Sequence, residues 1–544
     1  MNRKILYWIF ASIVTAGILF RILELDSRSL EYDEIWTMTH YFKCTFSEIF
    51  TNLATPNNHP LHTLCAKVFC DIFGNDFWTL RMPALLSGII LLSTALWAAV
   101  KNFRSKYAKI AFVALTAFSP YLVHYSNTAR GYSMQAFFIF AMILFIFSYA
   151  RKASIGKAAG VFLCAASALF TIYSGLIFVC AAGGAYLLSF CNWRNWRNEL
   201  KKNLFLFAAG VDFIIIAALW LGLNREKIAE AQQFGIPITS ALQFFRNAGH
   251  IIYDLGLILP MIILAVAFVL KPKAKTIRFG LSFAILTILS ILATKCGPER
   301  VYVPMITVII FCMARGIEII GARFCKIKYM ELIMTLIVCS PIIFMQNDIE
   351  RISPPDWRYF VSNIEKNIPQ ECYTVYSAGD TYPICMNYRE SAMNLAKKSE
   401  QNLLMIGFIS DKKAQVSCLA ENNSEKTLSL GKPFAIYPLS NNYSISIYHL
   451  KPLTAANFRK GKPVIAFFVF MPKRQYSAIC KQLFLKDDCY VLNAFFNRDY
   501  TDNTSGRASR SIPFFIPETS QDFEYYANFS SHALRFFILD SADL

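Results

Sequence analysis

Long apolar runs alternate with short polar segments over the first two thirds of the chain. Most of these runs are close to the ~20 residues that an α-helix needs to cross a bilayer. They lie at 5–22, 78–100, 109–125, 132–150, 157–172, 174–190, 204–223, 251–270, 277–294, 301–320 and 329–346. The pattern predicts a polytopic α-helical membrane protein in which residues 1–346 form about 11 transmembrane helices.

The polar segments between the runs differ in charge from one side of the predicted membrane to the other. If the N-terminus is cytoplasmic, each inner segment is short and basic: 1–4, 101–108, 151–156, 191–203, 271–276 and 321–328. The outer segments 126–131 and 295–300 hold only Arg130, Lys295 and Arg300 as basic residues. Cytoplasmic loops carry such an excess of Lys and Arg. The net charge of +18 therefore sets topology and does not indicate a nucleic-acid partner.

Composition supports the same class. Hydrophobic residues make up 55% of the 544 residues and charged residues only 17%, and the mean hydropathy is +0.39. These values exclude a disordered chain and are too apolar for an ordinary soluble enzyme.

The chain changes character after residue 346. Short β-like runs follow at 372–377, 402–409, 433–438, 443–449, 464–471, 489–496 and 535–539. We expect residues 347–544 to form an α/β or α+β domain, which an odd number of spans places outside the cytoplasm. It has neither a GxGxxG nor a GxxxxGK[ST] nucleotide motif.

The outer loop 23–77 carries two adjacent carboxylates, Asp33 and Glu34, among the aromatic residues Tyr32 and Trp36. Neighbouring residues on a helix do not share a face, so one carboxylate can enter a cavity while the other orients a neighbour or holds a metal. Beside a membrane, the first can act as a general base toward an acceptor hydroxyl. The alternative is an ordinary helix start, where acidic residues are favoured.

Basic and polar residues recur at the outer ends of the predicted spans. Asn58 and His59 precede Pro60, and His62 follows within one turn, so phosphate or metal contacts are conceivable. Arg groups suit phosphate, and the candidates near an outer span end are Arg130, in a hairpin with Tyr132, and Arg300 with Tyr302. Asp212 lies inside a span, where a carboxylate is functional by default unless it pairs internally.

Together these residues resemble the C-type (GT-C) membrane glycosyltransferases, in particular the protein-mannosyltransferase and aminoarabinose-transferase branch. The matching motifs, in chain order, are Asp33-Glu34-Ile35-Trp36, Asn58-His59-Pro60-Leu61-His62, Arg81-Met82-Pro83, Thr128-Ala129-Arg130-Gly131-Tyr132, Arg300-Val301-Tyr302-Val303-Pro304 and Asp356-Trp357-Arg358. The family has Glu where this chain has Thr128. The resemblance covers about residues 1–360.

The resemblance implies an inverting transfer of a sugar from a polyprenyl-phosphate donor to a hydroxyl of a lipid, polysaccharide or protein. The active site would face outward from the cytoplasmic (inner) cell membrane. Asp33 would be the general base and Glu34 its orienting neighbour. His59, Arg130 and Arg300 would bind phosphate, and Asn58, Arg81, Tyr132 and Tyr302 would complete the substrate site. Some family members bind a divalent metal, whose ligands here remain open.

Two other classes compete with this interpretation. A multi-pass transporter or a flippase for lipid-linked glycans would explain many spans and Asp212, but it predicts inverted repeats, which the sequence does not show. A membrane scaffold without chemistry would give Asp33 and Glu34 no role.

Overall fold

The computed structural model describes residues 3–344 except for 24, 26–29, 52, 54–57, 75, 227, 229–238, 293–296 and 328; it also describes residue 349 and strands between 372 and 497. The chain forms two compact units. One contains residues 1–27 and 36–352, and the other contains residues 28–35 and 353–544. The predicted domain boundary after residue 346 stays a prediction.

The first unit is helical. Its helices, with α2 beginning in the second unit, are α1 (Arg3–Ile22), α2 (Tyr32–Tyr41), α3 (Phe46–Thr51), α4 (Pro60–Phe73), α5 (Phe77–Asn102), α6 (Lys106–Phe118), α7 (Pro120–His124), α8 (Tyr132–Arg151), α9 (Ile155–Thr171), α10 (Gly175–Phe190), α11 (Trp196–Lys202), α12 (Leu204–Leu223), α13 (Ala241–Asp254), α14 (Ile258–Leu270), α15 (Lys275–Leu289), α16 (Pro304–Arg323) and α17 (Met330–Cys339).

A helix occupies every apolar run seen in the sequence. Within the part of the chain that the structure describes, five segments are long and apolar enough to cross a membrane: Lys4–Ile22, Phe77–Asn102, Tyr132–Arg151, Leu204–Leu223 and Pro304–Arg323. Shorter apolar helices lie at Ile155–Thr171, Gly175–Phe190 and Met330–Phe344. A helical membrane protein with several spans is therefore confirmed, while the number eleven stays a prediction.

The predicted single span 251–270 is wrong at its start. It is shared by α13 and α14, which meet at 104°. Gly256, at φ +68, has the left-handed backbone that ends many helices. The N–H of Leu257 reaches back to the carbonyl of Ile252 at 2.8 Å, which is the hydrogen bond of such an ending. The helix therefore stops although the apolar composition continues.

The predicted span 109–125 is also interrupted. Pro120, which begins α7, has no N–H to give to the carbonyl of Thr116 one turn earlier. The fully buried guanidinium of Arg21, on α1, donates to that carbonyl at 3.0 Å and to the carbonyl of Ala117 at 2.7 Å. Arg21 thus replaces the donors that the helix lacks at the break.

The core between the helices is rich in phenylalanine. The ring of Phe311 on α16 lies 5.5 Å from Phe112, 5.7 Å from Phe140 and 5.8 Å from Phe147, between ring centroids. These separations are favourable for aromatic pairs. Such packing matters in a membrane, where lipid is as apolar as the helices and close contact drives association.

The second unit contains strands. They are β1 (Cys372–Thr374), β2 (Asn402–Ile409), β3 (Gln415–Leu419), β4 (Glu425–Ser429), β5 (Ala435–Ser440), β6 (Tyr443–Leu450), β7 (Val464–Phe470), β8 (Ala478–Lys486) and β9 (Cys489–Asn497). One sheet has the order β1-β2-β7-β6-β5, with β1, β2 and β7 parallel and β7, β6 and β5 antiparallel.

Two antiparallel pairs, β3–β4 and β8–β9, accompany this sheet. Six of the predicted strands overlap observed ones, whereas the predicted strand 535–539 and the segment Asp356–Arg358 lie outside the described residues. The α/β or α+β class of this domain stays a prediction.

Candidate active site

Asn58 fixes the turn that leads into α4. Its side chain is 2% exposed and donates to the carbonyl of Ile49 at 2.8 Å. Its oxygen accepts from the Thr63 hydroxyl at 3.2 Å. Pro60, at the first position of α4, suits a helix start because its missing N–H would have no partner there. These contacts hold His59 at the N-terminal end of the helix.

The imidazole of His59 is buried and its tautomer is set by the backbone. The N–H of Gly131 donates to Nδ1 at 2.7 Å. A backbone N–H can only donate, so Nδ1 must carry the lone pair and, in the neutral ring, Nε2 must carry the hydrogen. Nε2 is buried and has no hydrogen-bond partner among the residues that the structure describes. His59 therefore presents a single N–H donor to whatever enters the site.

Gly131 allows the backbone to approach His59 this closely. A Cβ at this position would lie 2.8 Å from the Cγ2 of Thr171 and 3.1 Å from the Nδ1 of His59. Any larger residue would push one of them away. Sequence reasoning missed Gly131, and its only signal was its place between Arg130 and Tyr132.

Aromatic rings form one wall around His59. The Tyr132 ring meets the imidazole edge to face, with centroids 5.0 Å apart. Tyr125 packs on Tyr132 at 4.7 Å, and the guanidinium carbon of Arg130 lies 5.8 Å from the centre of the Tyr132 ring. Arg130 is itself 2% exposed. The short segment between α7 and α8 thus delivers a cation and two rings to one place.

Positive charge converges on His59 from two distant parts of the chain. Burial lowers the pKa of His59 well below 6.5, and the charges of Arg130, His62 and Arg300 lower the pKa further. Arg300 is half-buried, in a short 3-10 turn of residues Glu299–Tyr302 ahead of α16. Among the described residues, no carboxylate is one of the groups that shift this pKa. The charges of Arg130 and Arg300 therefore act on a buried imidazole that favours its neutral form.

The remaining predicted substrate residues lie elsewhere or play supporting parts. Arg81 is fully buried and donates to the carbonyl of Leu25 at 2.8 Å, with its guanidinium 6.0 Å from the Phe77 ring. Tyr302 is 1% exposed at the end of the turn that carries Arg300. The structure thus brings His59, Arg130, Tyr132 and Arg300 together, with Asn58 as their neighbour.

The predicted catalytic pair begins α2. Both Asp33 and Glu34 lie in its first turn, as the helix-start alternative also expects. Glu34 is fully buried, and its Oε2 accepts from the N–H of Glu31 at 2.8 Å. Asp33 is half-buried. Both belong to the compact unit of residues 28–35 and 353–544 and not to the unit of His59.

The described residues offer no evident set of ligands for a resident metal ion. Among the residues that the structure describes, no group of three or more His, Cys, Asp or Glu side chains is arranged to hold an ion. Thr128, at the family's Glu position, is fully buried and its hydroxyl has no described hydrogen-bond partner. In the tautomer that the contact with Gly131 requires, His59 offers a donor at Nε2 where a metal needs a lone pair. The described residues around His59 therefore do not fit a resident metal ion.

An apolar cavity of about 210 Å³ opens among α13, α14, α15 and the start of α16. Its wall is formed by Phe, Leu, Ile, Met and Ala side chains, including Ile252, Met261 and Met305. Helix α13 also contacts the 3-10 turn that carries Arg300. A hydrocarbon surface thus lies close in the fold to one of the two arginines of the site.

The chain matches a known protein family over part of its length. The family described as dolichyl-phosphate-mannose-protein mannosyltransferase matches residues 56–221. This match confirms the resemblance to the C-type glycosyltransferases that the sequence motifs indicated. No curated protein sequence matches the chain.

Solved structures with a similar course of the chain include proteins from two organisms. ArnT from Cupriavidus metallidurans in the apo state has 14% identity, a TM-score of 0.47, and matched shares of 70% of this chain and 84% of that one. The same protein bound to undecaprenyl phosphate has 12% identity, a TM-score of 0.47, and shares of 72% and 85%. The oligosaccharyltransferase of Archaeoglobus fulgidus with Zn and sulfate has 13% identity, a TM-score of 0.40, and shares of 66% and 55%.

Proposed function

We propose that this protein transfers a sugar from a polyprenyl-phosphate donor to an acceptor hydroxyl at the outer face of the cytoplasmic (inner) cell membrane. The observation that carries the proposal is the buried N–H donor of His59, which lies within the electrostatic reach of Arg130 and Arg300. Such a site suits a phosphate group. The matched family is named for a dolichyl phosphate, which is a polyprenyl phosphate.

The chemistry requires few groups. The acceptor oxygen attacks the anomeric carbon of the donor as the bond from that carbon to the phosphate oxygen breaks. The electron pair of that bond leaves with polyprenyl phosphate, whose negative charge grows as the sugar departs. Fixed donors aimed at such developing charge lower the barrier. Arg130, Arg300 and the Nε2–H of His59 supply these donors, and attack from the face opposite the phosphate inverts the anomeric carbon.

The apolar cavity beside α13 gives the donor's lipid tail a place to lie. It is lined by hydrocarbon side chains, so an isoprenoid chain can pack there through van der Waals contact without leaving a polar group unpaired. A tail in this cavity would leave the phosphate near the turn that carries Arg300. The donor would thus be held at both ends.

The proton of the acceptor hydroxyl needs a base, and we assign it to Asp33. Glu34 already accepts a backbone hydrogen bond from Glu31 at 2.8 Å, which occupies one of its oxygens. The half-buried Asp33 is better suited to reach an entering acceptor, and Glu34 then orients the first turn of α2. The acceptor can be a lipid, a polysaccharide or a protein.

The test uses the full-length protein in liposomes with a radiolabelled polyprenyl-phosphate sugar and a membrane extract as the source of acceptor. Loss of a general base costs about 10²–10⁴-fold in rate, so Asp33→Asn should transfer at least ~100-fold more slowly while donor binding persists. Glu34→Gln, the matched neighbour, should lose less.

Near wild-type transfer by Asp33→Asn would remove Asp33 as the base and leave Glu34 as the candidate. Movement of the donor between leaflets without labelled product would instead identify a flippase. The labelled product, where one forms, identifies the acceptor class.

A further inference from the structure

Helix α12 packs into the bundle along one side only. Its buried residues are Ala209, Phe213, Ala217 and Trp220, and it lies against α9. The indole N–H of Trp220 donates to the carbonyl of Phe50 at 2.9 Å. This side anchors the helix, and most of its remaining surface faces outward.

A regular stripe runs down the outward-facing flank of α12. It consists of Phe205, Ala208, Asp212, Ile215, Leu219 and Gly222, all exposed in the structure. Successive members are alternately three and four residues apart. This is the spacing of the seam that one helix presents to another in left-handed helix pairs. We call these six residues the α12 stripe.

Asp212 stands near the middle of this stripe and of the candidate membrane span Leu204–Leu223. At 1.5 Å per residue it lies about 12 Å from Leu204 and about 16 Å from Leu223 along the axis. The aspartate side chain is too short to reach either interface from that depth. Ionisable groups at such positions are costly in lipid and normally face a protein partner.

Among the residues that the structure describes, Asp212 has no such partner. It is exposed, and in the part of the chain that the structure describes no hydrogen bond or ion pair is formed by its carboxylate. Its neighbours in the stripe, Ile215 and Leu219, are 51% and 64% exposed. An apolar face with one carboxylate at its centre is therefore left for another molecule.

We propose that the α12 stripe docks a transmembrane helix of a partner protein that carries Lys or Arg at the depth of Asp212. A cation on the partner helix would pair with the carboxylate of Asp212, and the other residues of the α12 stripe have the spacing of a helix-packing seam. A Cβ added at Gly222 would meet no atom within 4 Å, and small residues such as Ala208 let two helices approach closely.

A second copy of this chain fits the stripe less well. Arg315 is a half-exposed cation within α16, but it is already paired with Glu318 of the same helix. The other carboxylate oxygen of Glu318 accepts hydrogen bonds from the backbone N–H groups of Arg104 and Ser105. These bonds hold the Arg315–Glu318 ion pair beside the loop between α5 and α6. A helix with its own cation at mid-depth is the better match. The proposal is independent of the transfer reaction.

The test measures association in neutral phosphatidylcholine liposomes by energy transfer from labelled full-length protein to a labelled synthetic helix. The helix is a Trp-flanked Leu/Ala sequence of ~21 residues with one central Lys, and its control has Leu in place of Lys. The wild-type protein should bind the Lys helix at least about tenfold more tightly than the Leu helix.

Three variants locate the contact. Asp212→Leu should abolish the preference for Lys, and Ile215→Trp should block docking on the stripe. Ile214→Trp, on the same helix, 64% exposed and outside the stripe, is the matched control and should bind as wild type does.

Equal binding of the Lys and Leu helices by the wild-type protein would overturn the proposal. So would an unchanged Lys preference in Asp212→Leu. A dimer of the protein that forms without any added helix and is lost in Asp212→Leu would assign the stripe to a second copy instead.

Discussion

Replacing His59 by Asn should slow sugar transfer far more than replacing it by Gln. The amide nitrogen of Gln comes close to the position of Nε2 and keeps an N–H donor there. The Asn side chain ends near the position of Nδ1 and can keep only the contact with the N–H of Gly131, which measures 2.7 Å in the wild-type structure. The two variants therefore separate the effect of the hydrogen bond between Gly131 and Nδ1 from the effect of the N–H donor at Nε2.

The size of the effect follows from what Nε2 is proposed to meet. A hydrogen bond to a charged group contributes about 1.5–3 kcal/mol, and each ~1.4 kcal/mol is a factor of ten. His59 is only 2% exposed, so little water can replace the lost donor. We expect kcat/KM to fall about 10–150-fold in His59→Asn and to stay within about fivefold in His59→Gln.

The pH dependence gives an independent check on the neutral tautomer. Burial lowers the pKa of His59, and Arg130, His62 and Arg300 lower it further. Below pH ~6.5 the unfolded chain takes up a proton at this residue before the folded protein does. The folded protein therefore loses stability as the pH falls from ~6.5 toward the lowered pKa. His59→Gln should lack this part of the pH dependence of Tm.

The assay is transfer from labelled donor in liposomes between pH 6 and 8, together with Tm over a wider acidic range. Equal losses in the Asn and Gln variants would refute the donor role of Nε2. A second outcome would refute the assigned tautomer: wild-type activity falls above pH 6.5, while the activity of His59→Gln does not change with pH. That result would show that the imidazole acts as a cation.

Two further predictions concern the arginines and the topology. Arg130→Lys and Arg300→Lys should each weaken donor binding about tenfold, because an ammonium group does not reproduce the planar fork of a guanidinium. The control is Arg197→Lys on the exposed surface of α11. Unchanged donor binding in both site variants would contradict the phosphate role. Reporter fusions after residues 130, 300 and 400 should all report the non-cytoplasmic side, and a cytoplasmic signal at any of them would overturn the proposed orientation.

Local patterns in the sequence were reliable guides. The predicted span 204–223 coincides with α12, because the apolar run is bounded by Asn203 and Asn224. The spacing Thr45-x-x-Glu48 is that of a capping box, and the structure forms one at the start of α3. The Glu48 carboxylate accepts from the N–H of Thr45 at 2.6 Å, and the Thr45 hydroxyl accepts from the N–H of Glu48 at 3.3 Å. Both features depend only on residues close together in the chain.

Features that depend on distant residues were beyond such patterns. The hydrogen bond from Gly131 to His59 joins residues 72 positions apart. The local sequence of neither segment indicates that the two are in contact. The bend after α13 was hidden because the apolar composition continues through Gly256, whose backbone conformation hydropathy does not reveal. Asp212 was recognised as unusual, but only the structure shows that it faces away from the bundle.

The contact of Arg21 with the break before α7 couples positions 21 and 120, which are far apart in the sequence. The Thr116 carbonyl accepts from Arg21 where Pro120 removes the usual donor. A chain with an ordinary residue at 120 would close that helical bond itself and leave Arg21 as a buried cation with less to bind. A chain that lost Arg21 would leave two carbonyls without donors. In divergent descendants of this sequence, we expect the two positions to change together.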